Sequence, residues 1–241
     1  MNPVGEHIFT VQPFEVDFRG KLTFPLLINN LLNAAGHHAN DRGFGIQQLN
    51  EIGKTWVLSR IAMEITRLPE SNDNVKIETW IESVMRSFTF RNFAIYSNDE
   101  CIGYARTIWA MIDMNTRKAE NLEDKGIDQY AFKEKTCEMD KIGKIAVPEN
   151  LVLADTFRVK YSDLDINRHL NSAKYIEHIF DAFSTTEISE NAIRKFEIEY
   201  IEECLYGETI QIFRDDSCSG SHILLLKNEK GENTCKCRIS N

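Results

Sequence analysis

Basic side chains are scarce in this sequence: 28 Lys and Arg stand against 37 Asp and Glu, a formal net charge of -9 over 241 residues. Nucleic-acid binders present a basic stripe to the phosphate backbone, so that class is excluded as a first reading. Long apolar runs are missing too. None approaches the roughly 20 residues that cross a bilayer, and the opening MNPVGEHIFT has neither the basic start nor the apolar stretch of a secretory signal. The expectation is a cytoplasmic protein with no membrane span. Six cysteines are scattered without a Cys-x-x-Cys pair, which argues against a zinc ribbon or a compact disulfide framework and predicts reduced thiols. No Gly-rich phosphate fingerprint occurs, Gly43-Phe44-Gly45 being too short for one, and no G-x-S-x-G places a serine on a strained elbow.

What is present is a core-forming composition, 42% hydrophobic, and an internal repeat. A shift of 143 positions sets FEVDFRGKLTFPLLINNLLNAAG, from Phe14, against FRVKYSDLDINRHLNSAKYIEHI, from Phe157. Each copy reads as a short alternating strand, a turn, an amphipathic helix and then a run of antiparallel strands. The first helix is expected to start at Thr23 as N-cap with Pro25 in its opening turn, the second at Asn171 or Ser172. Leu27, Leu31 and Ala34 form one apolar stripe; Ala173, Ile176, Phe180 and Phe183 form the other. In the strand after Asn74, Val75, Ile77, Thr79 and Ile81 alternate with Lys76, Glu78, Trp80 and Glu82, the pattern of a sheet with one buried face. The reading is α+β: a first domain at 1–120, a charged linker at 121–152 with a short helix near 126–135, and a second domain at 153–241. Two such units can pair their sheet edges.

The stretch YSDLDINRHLNSAKY, residues 161–175, carries the chemistry. Asp163, Asp165, Asn167, His169 and Asn171 recur at every second position, so an extended backbone would line them on one face. A calcium loop is excluded because its sixth and twelfth positions, Gly and Glu, are Arg168 and Lys174 here. A zinc site would have one nearby imidazole, so no metal is expected. At the 143 shift Asp165 faces Leu22, Asn167 faces Phe24 and His169 faces Leu26, and at a shift of 135 Glu203 faces Leu68. A polar copy opposite an apolar one suggests that Leu22, Phe24, Leu26 and Leu68 receive a long substrate tail while the second copy reacts. Hydrolysis of an activated ester needs a base for water, a group that positions the water and donors for the oxyanion. Asp165 or Glu203 supplies the base, Asn167 and His169 position, and the free amides of the helix after Asn171 receive the oxyanion. No cofactor is needed. Cys204 is the alternative nucleophile, with Asn167 and His169 orienting it.

These residues resemble the acyl-acyl-carrier-protein thioesterases, plant plastid enzymes with bacterial relatives. The family's D-L-D-x-N-x-H-x-N-x-x-x-Y matches Asp163 to Tyr175, and its E-Y-x-x-E-C matches Glu199, Tyr200, Glu203 and Cys204. Trp56-Val57-Leu58-Ser59-Arg60, Arg67-Leu68-Pro69 and Met114-Asn115-Thr116-Arg117-Lys118 match further family motifs in order. The resemblance implies a double hotdog, two tandem units each with an antiparallel sheet around a helix. It also implies hydrolysis of fatty acyl carrier protein in fatty acid biosynthesis, with the chain held by the first half. The implied catalytic set is Asp165, Asn167, His169 and Glu203; an older view of the family makes Cys204 the nucleophile. The family's two arginines before Glu-Cys are Ile201 and Glu202 here. The absence of a plant-type leader before these motifs points to a bacterial enzyme of the cytoplasm. Carrier docking falls to local cations, with Lys54, Arg86, Arg91 and Arg106 as candidates, and a homodimer stays open. The alternatives are an acyl-CoA thioesterase and a non-catalytic acyl-binding module.

Overall fold

The computed structural model describes residues 2–190, 192–218 and 220–241. The chain forms two compact units, Met1–Ile142 and Gly143–Asn241. Unit 1 holds β1 (Gly5–Thr10), α1 (Phe24–Asn40), α2 (Ile46–Glu51), β2 (Lys54–Ile65), β3 (Asn74–Met85), β4 (Phe88–Ser97) and β5 (Glu100–Asp113). Its strands pair antiparallel in the order β1-β3-β4-β5-β2. Unit 2 holds β6 (Val152–Arg158), α3 (Ser172–Asp181), α4 (Thr185–Glu190), β7 (Lys195–Tyr200), β8 (Thr209–Cys218), β9 (Ser221–Lys227) and β10 (Asn233–Ser240). Its order is β6-β8-β9-β10-β7, again antiparallel. Raising each strand number of unit 1 by five gives the order of unit 2. The fold class is therefore α+β with two tandem units of one topology, as the repeat implies, and these are the hotdog units that the resemblance implies.

The helices follow their sequence signals. Thr23 occupies the N-cap position of α1 without a side-chain capping hydrogen bond, Pro25 lies in the first turn, and Leu27, Leu31 and Ala34 are buried. Asn171 caps α3, its Oδ1 accepting the Ala173 amide at 2.9 Å. Helix α3 buries Ala173, Tyr175, Ile176 and Ile179 and sets Phe180 against Phe196 of β7, ring centroids 6.2 Å apart. Phe183, expected on the helical stripe, lies beyond the end of α3.

Four expectations give way. Residues 14–18 form no strand: Phe14 is 84% exposed, and the edge strand is β1, upstream. The outer face of β3 is not solvated, since Trp80 and Glu78 are buried along with Val75, Ile77, Thr79 and Ile81. The cover comes from the stretch expected to be a linker. Phe132 N–H donates to the Ile81 carbonyl, Lys135 pairs with Glu78, Cys137 packs on Trp80 and Ala94, and Arg106 Nη2 donates to the carbonyls of Cys137 and Met139. Residues 131–139 thus belong to unit 1 as a strap. The short helix near 126–135 is two single 3-10 turns, Glu123–Lys125 and Ile127–Tyr130, separated by Gly126 at φ 66°, a conformation that suits glycine and ends regular helix. Among the described residues no helix is long and apolar enough to cross a membrane.

Candidate active site

The polar run at 163–171 is a tight turn, not an extended face. Asp165 N–H donates to the His169 carbonyl at 2.8 Å, Arg168 N–H donates to the Asp165 carbonyl at 3.0 Å, and Leu164 bridges Leu170. Arg168 sits at φ 67°, in the left-handed region. One carboxylate oxygen organises this loop: Asp165 Oδ1 accepts the amides of Asn167 at 2.8 Å and His169 at 3.0 Å. Asp163 separates from the set. It is 6% exposed, its Oδ2 accepts the Lys160 amide at 2.7 Å, and its Oδ1 lies 3.5 Å from Nε2 of His178, whose ring stacks on Phe157. Asp163 anchors the loop from beneath, while Asp165 and His169 are half-buried and Asn167 is exposed.

The loop that follows β7 completes the constellation. Leu170 N–H donates to the Cys204 carbonyl at 2.8 Å and His169 bridges Leu205, so the two loops lie side by side. This brings His169 Nε2 to 3.4 Å from Glu203 Oε2. Tyr175 of α3 pins the second loop, its hydroxyl donating to the Glu202 carbonyl at 3.1 Å and to Cys204 Sγ at 3.0 Å. Cys204 is fully buried. Burial pushes its thiol up from the ordinary value and Glu208 and Glu202 add to this, against the hydrogen bond from Tyr175 that lowers it; the thiolate needed for attack is disfavoured. The helix start offers less than expected. The amides of Ala173, Lys174 and Tyr175 are all engaged by Asn171, and that of Asn171 by the Asp163 carbonyl, leaving the Ser172 amide.

The first unit contains a twin of this loop, at a shift the sequence comparison missed. Asp17 Oδ1 accepts the amides of Arg19 at 2.8 Å and Lys21 at 3.3 Å, Asp17 N–H donates to the Lys21 carbonyl at 2.8 Å, and Val16 bridges Leu22. Gly20 occupies the left-handed position at φ 72°. The matching shift is 148, which pairs Asp165 with Asp17, Asn167 with Arg19, His169 with Lys21 and Leu170 with Leu22. The contrast with Leu22, Phe24 and Leu26 therefore rested on a false register. The 135 shift stands: Leu22 N–H donates to the Pro69 carbonyl as Leu170 N–H does to that of Cys204, so Glu203 does face Leu68. The signal lay in the sequence as Asp-x-Arg-Gly-Lys-Leu against Asp-x-Asn-Arg-His-Leu.

Leu22, Phe24 and Leu68 are core residues and Leu26 is half-buried. None lines the apolar cavity of about 240 Å3 in unit 1, which lies between the C-terminal half of α1, α2 and strands β2 to β5 and includes Ala35, Ala39, Phe44, Trp56 and Trp109. Two of the docking candidates are also buried, Arg91 at 5% and Arg106 at 9% exposure. The Arg106 guanidinium pairs with Glu82 at 2.6 Å and Lys54 with Glu120 at 2.5 Å, while Arg86 is exposed.

Residues 4–130 match the model of the acyl-ACP thioesterase N-terminal domain and residues 149–240 that of the C-terminal domain. The chain belongs to the acyl-ACP thioesterase family. A crystal structure of an acyl-ACP thioesterase from Bacteroides thetaiotaomicron superposes with a TM-score of 0.92 at 41% identity, covering 99% of this chain and 98% of that one. The 12:0-ACP thioesterase of Umbellularia californica shares the fold, with a TM-score of 0.83 at 20% identity over 100% of this chain and 97% of that one. The chloroplastic oleoyl-acyl carrier protein thioesterase of Coriandrum sativum is 27% identical over 84% of this chain. The chain spans 60% of that relative's length.

Proposed function

We propose that the chain hydrolyses the thioester of fatty acyl carrier protein and releases the free fatty acid, with unit 2 carrying the chemistry and unit 1 the acyl chain. The observation that carries this reading is the His169–Glu203 contact at 3.4 Å, built by two loops bridged to each other in a member of the acyl-ACP thioesterase family. Glu203 takes the proton of a water held against His169. The water oxygen attacks the carbonyl carbon, and the negative oxygen is met by the Asn167 amide group and the Ser172 N–H. Collapse breaks the carbon–sulfur bond, and the proton passes to the leaving sulfur. Asp165 shapes the loop through Oδ1 and turns Oδ2 toward the water. Cys204 is a packed thiol in this scheme. The acyl carrier protein is the partner, no metal or cofactor enters, and the work belongs to the cytoplasm.

The cavity of unit 1 suits an alkyl chain because its lining is mostly apolar. Thiol release from a panel of acyl-carrier and matched acyl-CoA substrates of varied chain length tests the proposal. The expected result is a preference for carrier-linked substrates with a chain-length optimum that moves when Ala35 or Ala39 is enlarged. Absence of thiol release from every substrate would leave an acyl-binding module instead.

A further inference from the structure

Arg91 is the anomaly of unit 1. It lies on β4, is 5% exposed, and lines the apolar cavity together with Thr89, two residues earlier on the same strand face. Among the described residues its side-chain hydrogen bonds both leave from Nη1, to His38 Nδ1 and Thr79 Oγ1, each at 3.1 Å. His38 is a neutral partner: burial above all, then Arg91 and Arg42, pull its pKa down to about 3, and its Nε2 meets the Pro3 carbonyl at 3.1 Å. Among the described residues no carboxylate pairs with Arg91. Arg42 instead adds positive charge, and burial with that repulsion pulls the Arg91 guanidinium down to about 9. A buried charge without a counter-ion is costly to keep, and an anion beside it would relieve that cost. The lining runs from exposed Gly36, Asn40 and Ile46 to buried Ile81, Thr89 and Arg91. Its walls are apolar and its inner end is cationic.

We propose that this cavity binds an alkyl carboxylate with its charged end inward, the carboxylate on the Arg91 guanidinium and Thr89 hydroxyl and the chain along Ala35, Ala39, Phe44 and Trp56. The ligand is the free fatty acid, so the protein binds the class of compound that its proposed reaction releases. The inference deepens that reading through the identity of the ligand, but binding needs no turnover. A protein that binds the acid through Arg91 and releases no thiol keeps this inference and loses the activity.

The test is calorimetric titration of the full chain with decanoate and with 1-decanol. Decanoate should bind at least about tenfold more tightly, the worth of one charge-assisted pair. Arg91→Met should remove that preference and leave decanol affinity near that of the parent. Should Arg91→Met fail to fold, Gly36→Trp serves: a Cβ at Gly36 meets nothing within 4 Å, so a bulky side chain at this exposed rim should weaken decanoate at least tenfold with the fold intact. Equal affinities for acid and alcohol in the parent, or decanoate binding unchanged in the folded variants, would overturn the proposal. A second arm separates the free acid from an acyl substrate with a carboxylate at its far end, by comparing thiol release from decanoyl and 9-carboxynonanoyl thioesters. Preference for decanoyl with inhibition by decanoate supports the free acid; a strong preference for 9-carboxynonanoyl overturns that choice.

Discussion

The loops at residues 15–23 and 163–171 share one backbone and differ in their side chains. In both, an aspartate Oδ1 gathers two amides, a left-handed residue closes the turn and a leucine docks under a neighbouring loop. In unit 1 the variable positions of the turn are Arg19, hydrogen-bonded to Asp17, and Lys21, paired with Glu70, both half-buried. In unit 2 they are Asn167 and His169, and the facing residue is Glu203 where unit 1 has Leu68. The turn is thus a scaffold, held by backbone hydrogen bonds that tolerate either set. In the proposed reaction the chemistry enters through Asn167 and His169 on the turn and Glu203 facing it from the loop after β7. Asp165 folds its loop through Oδ1 as Asp17 does; in the proposed reaction its second oxygen serves the water.

The sharpest way to break this comparison is to substitute the twin aspartates in parallel. Asp165→Asn keeps an acceptor for the two amides and removes the charge, so thiol release should fall roughly a hundred-fold or more with little change in Tm. Asp17→Asn should leave turnover within about twofold, since no reacting group depends on it. Equal losses in both would make Asp165 a fold residue alone. Alanine at either position deletes the acceptor itself and strands two amides. Asp17→Ala should lower stability by about 1–3 kcal/mol, read from denaturant unfolding, while turnover per folded molecule is retained.

Acid separates the units next. His38 in unit 1 is held neutral, its folded pKa of about 3 lying below the ordinary 6.5. The unfolded chain binds the proton first, so this contribution to stability is complete above pH 6.5 and is lost as pH falls toward 3. The Tm should decline across that window, and His38→Gln should flatten the slope; an unchanged slope would place the acid sensitivity elsewhere. The smallest effect is expected for Lys21→Met. The partners Lys21 and Glu70 are 35% and 60% exposed, and a pair so exposed contributes about 0–1 kcal/mol.

Much of this was legible in the sequence. The helix starts at Thr23 and Asn171, most of the buried helix stripes and the strands β2–β5 and β7–β10 follow from periodicity and turn residues, while β1 was missed; the family motifs supplied the candidate residues. What failed did so for physical reasons. Alternating polar residues at 163–171 look like a strand face, but hydrogen bonds from Asp165 Oδ1 fold them into a turn. The 143 shift was driven by Phe14 and Phe157, whereas the structural match follows the Oδ1 cap and sits five residues away. Trp80 reads as an outward residue until residues 131–139 cover it, and no pattern announces a strap made of irregular chain. Arg91 and Arg106 read as surface cations because burial of an arginine depends on neighbours distant in sequence.

The central claim is that carboxylates, not the thiol, drive hydrolysis in unit 2. Its most direct test is thiol release from an acyl carrier thioester by Glu203→Gln and Cys204→Ala measured side by side, with Tm as the control. Glu203→Gln should lose roughly a hundred- to ten-thousand-fold of its turnover, while Cys204→Ala should keep substantial activity. Full activity in Glu203→Gln, or a dead, well-folded Cys204→Ala together with an acyl group trapped on Cys204 of the parent protein, would contradict it.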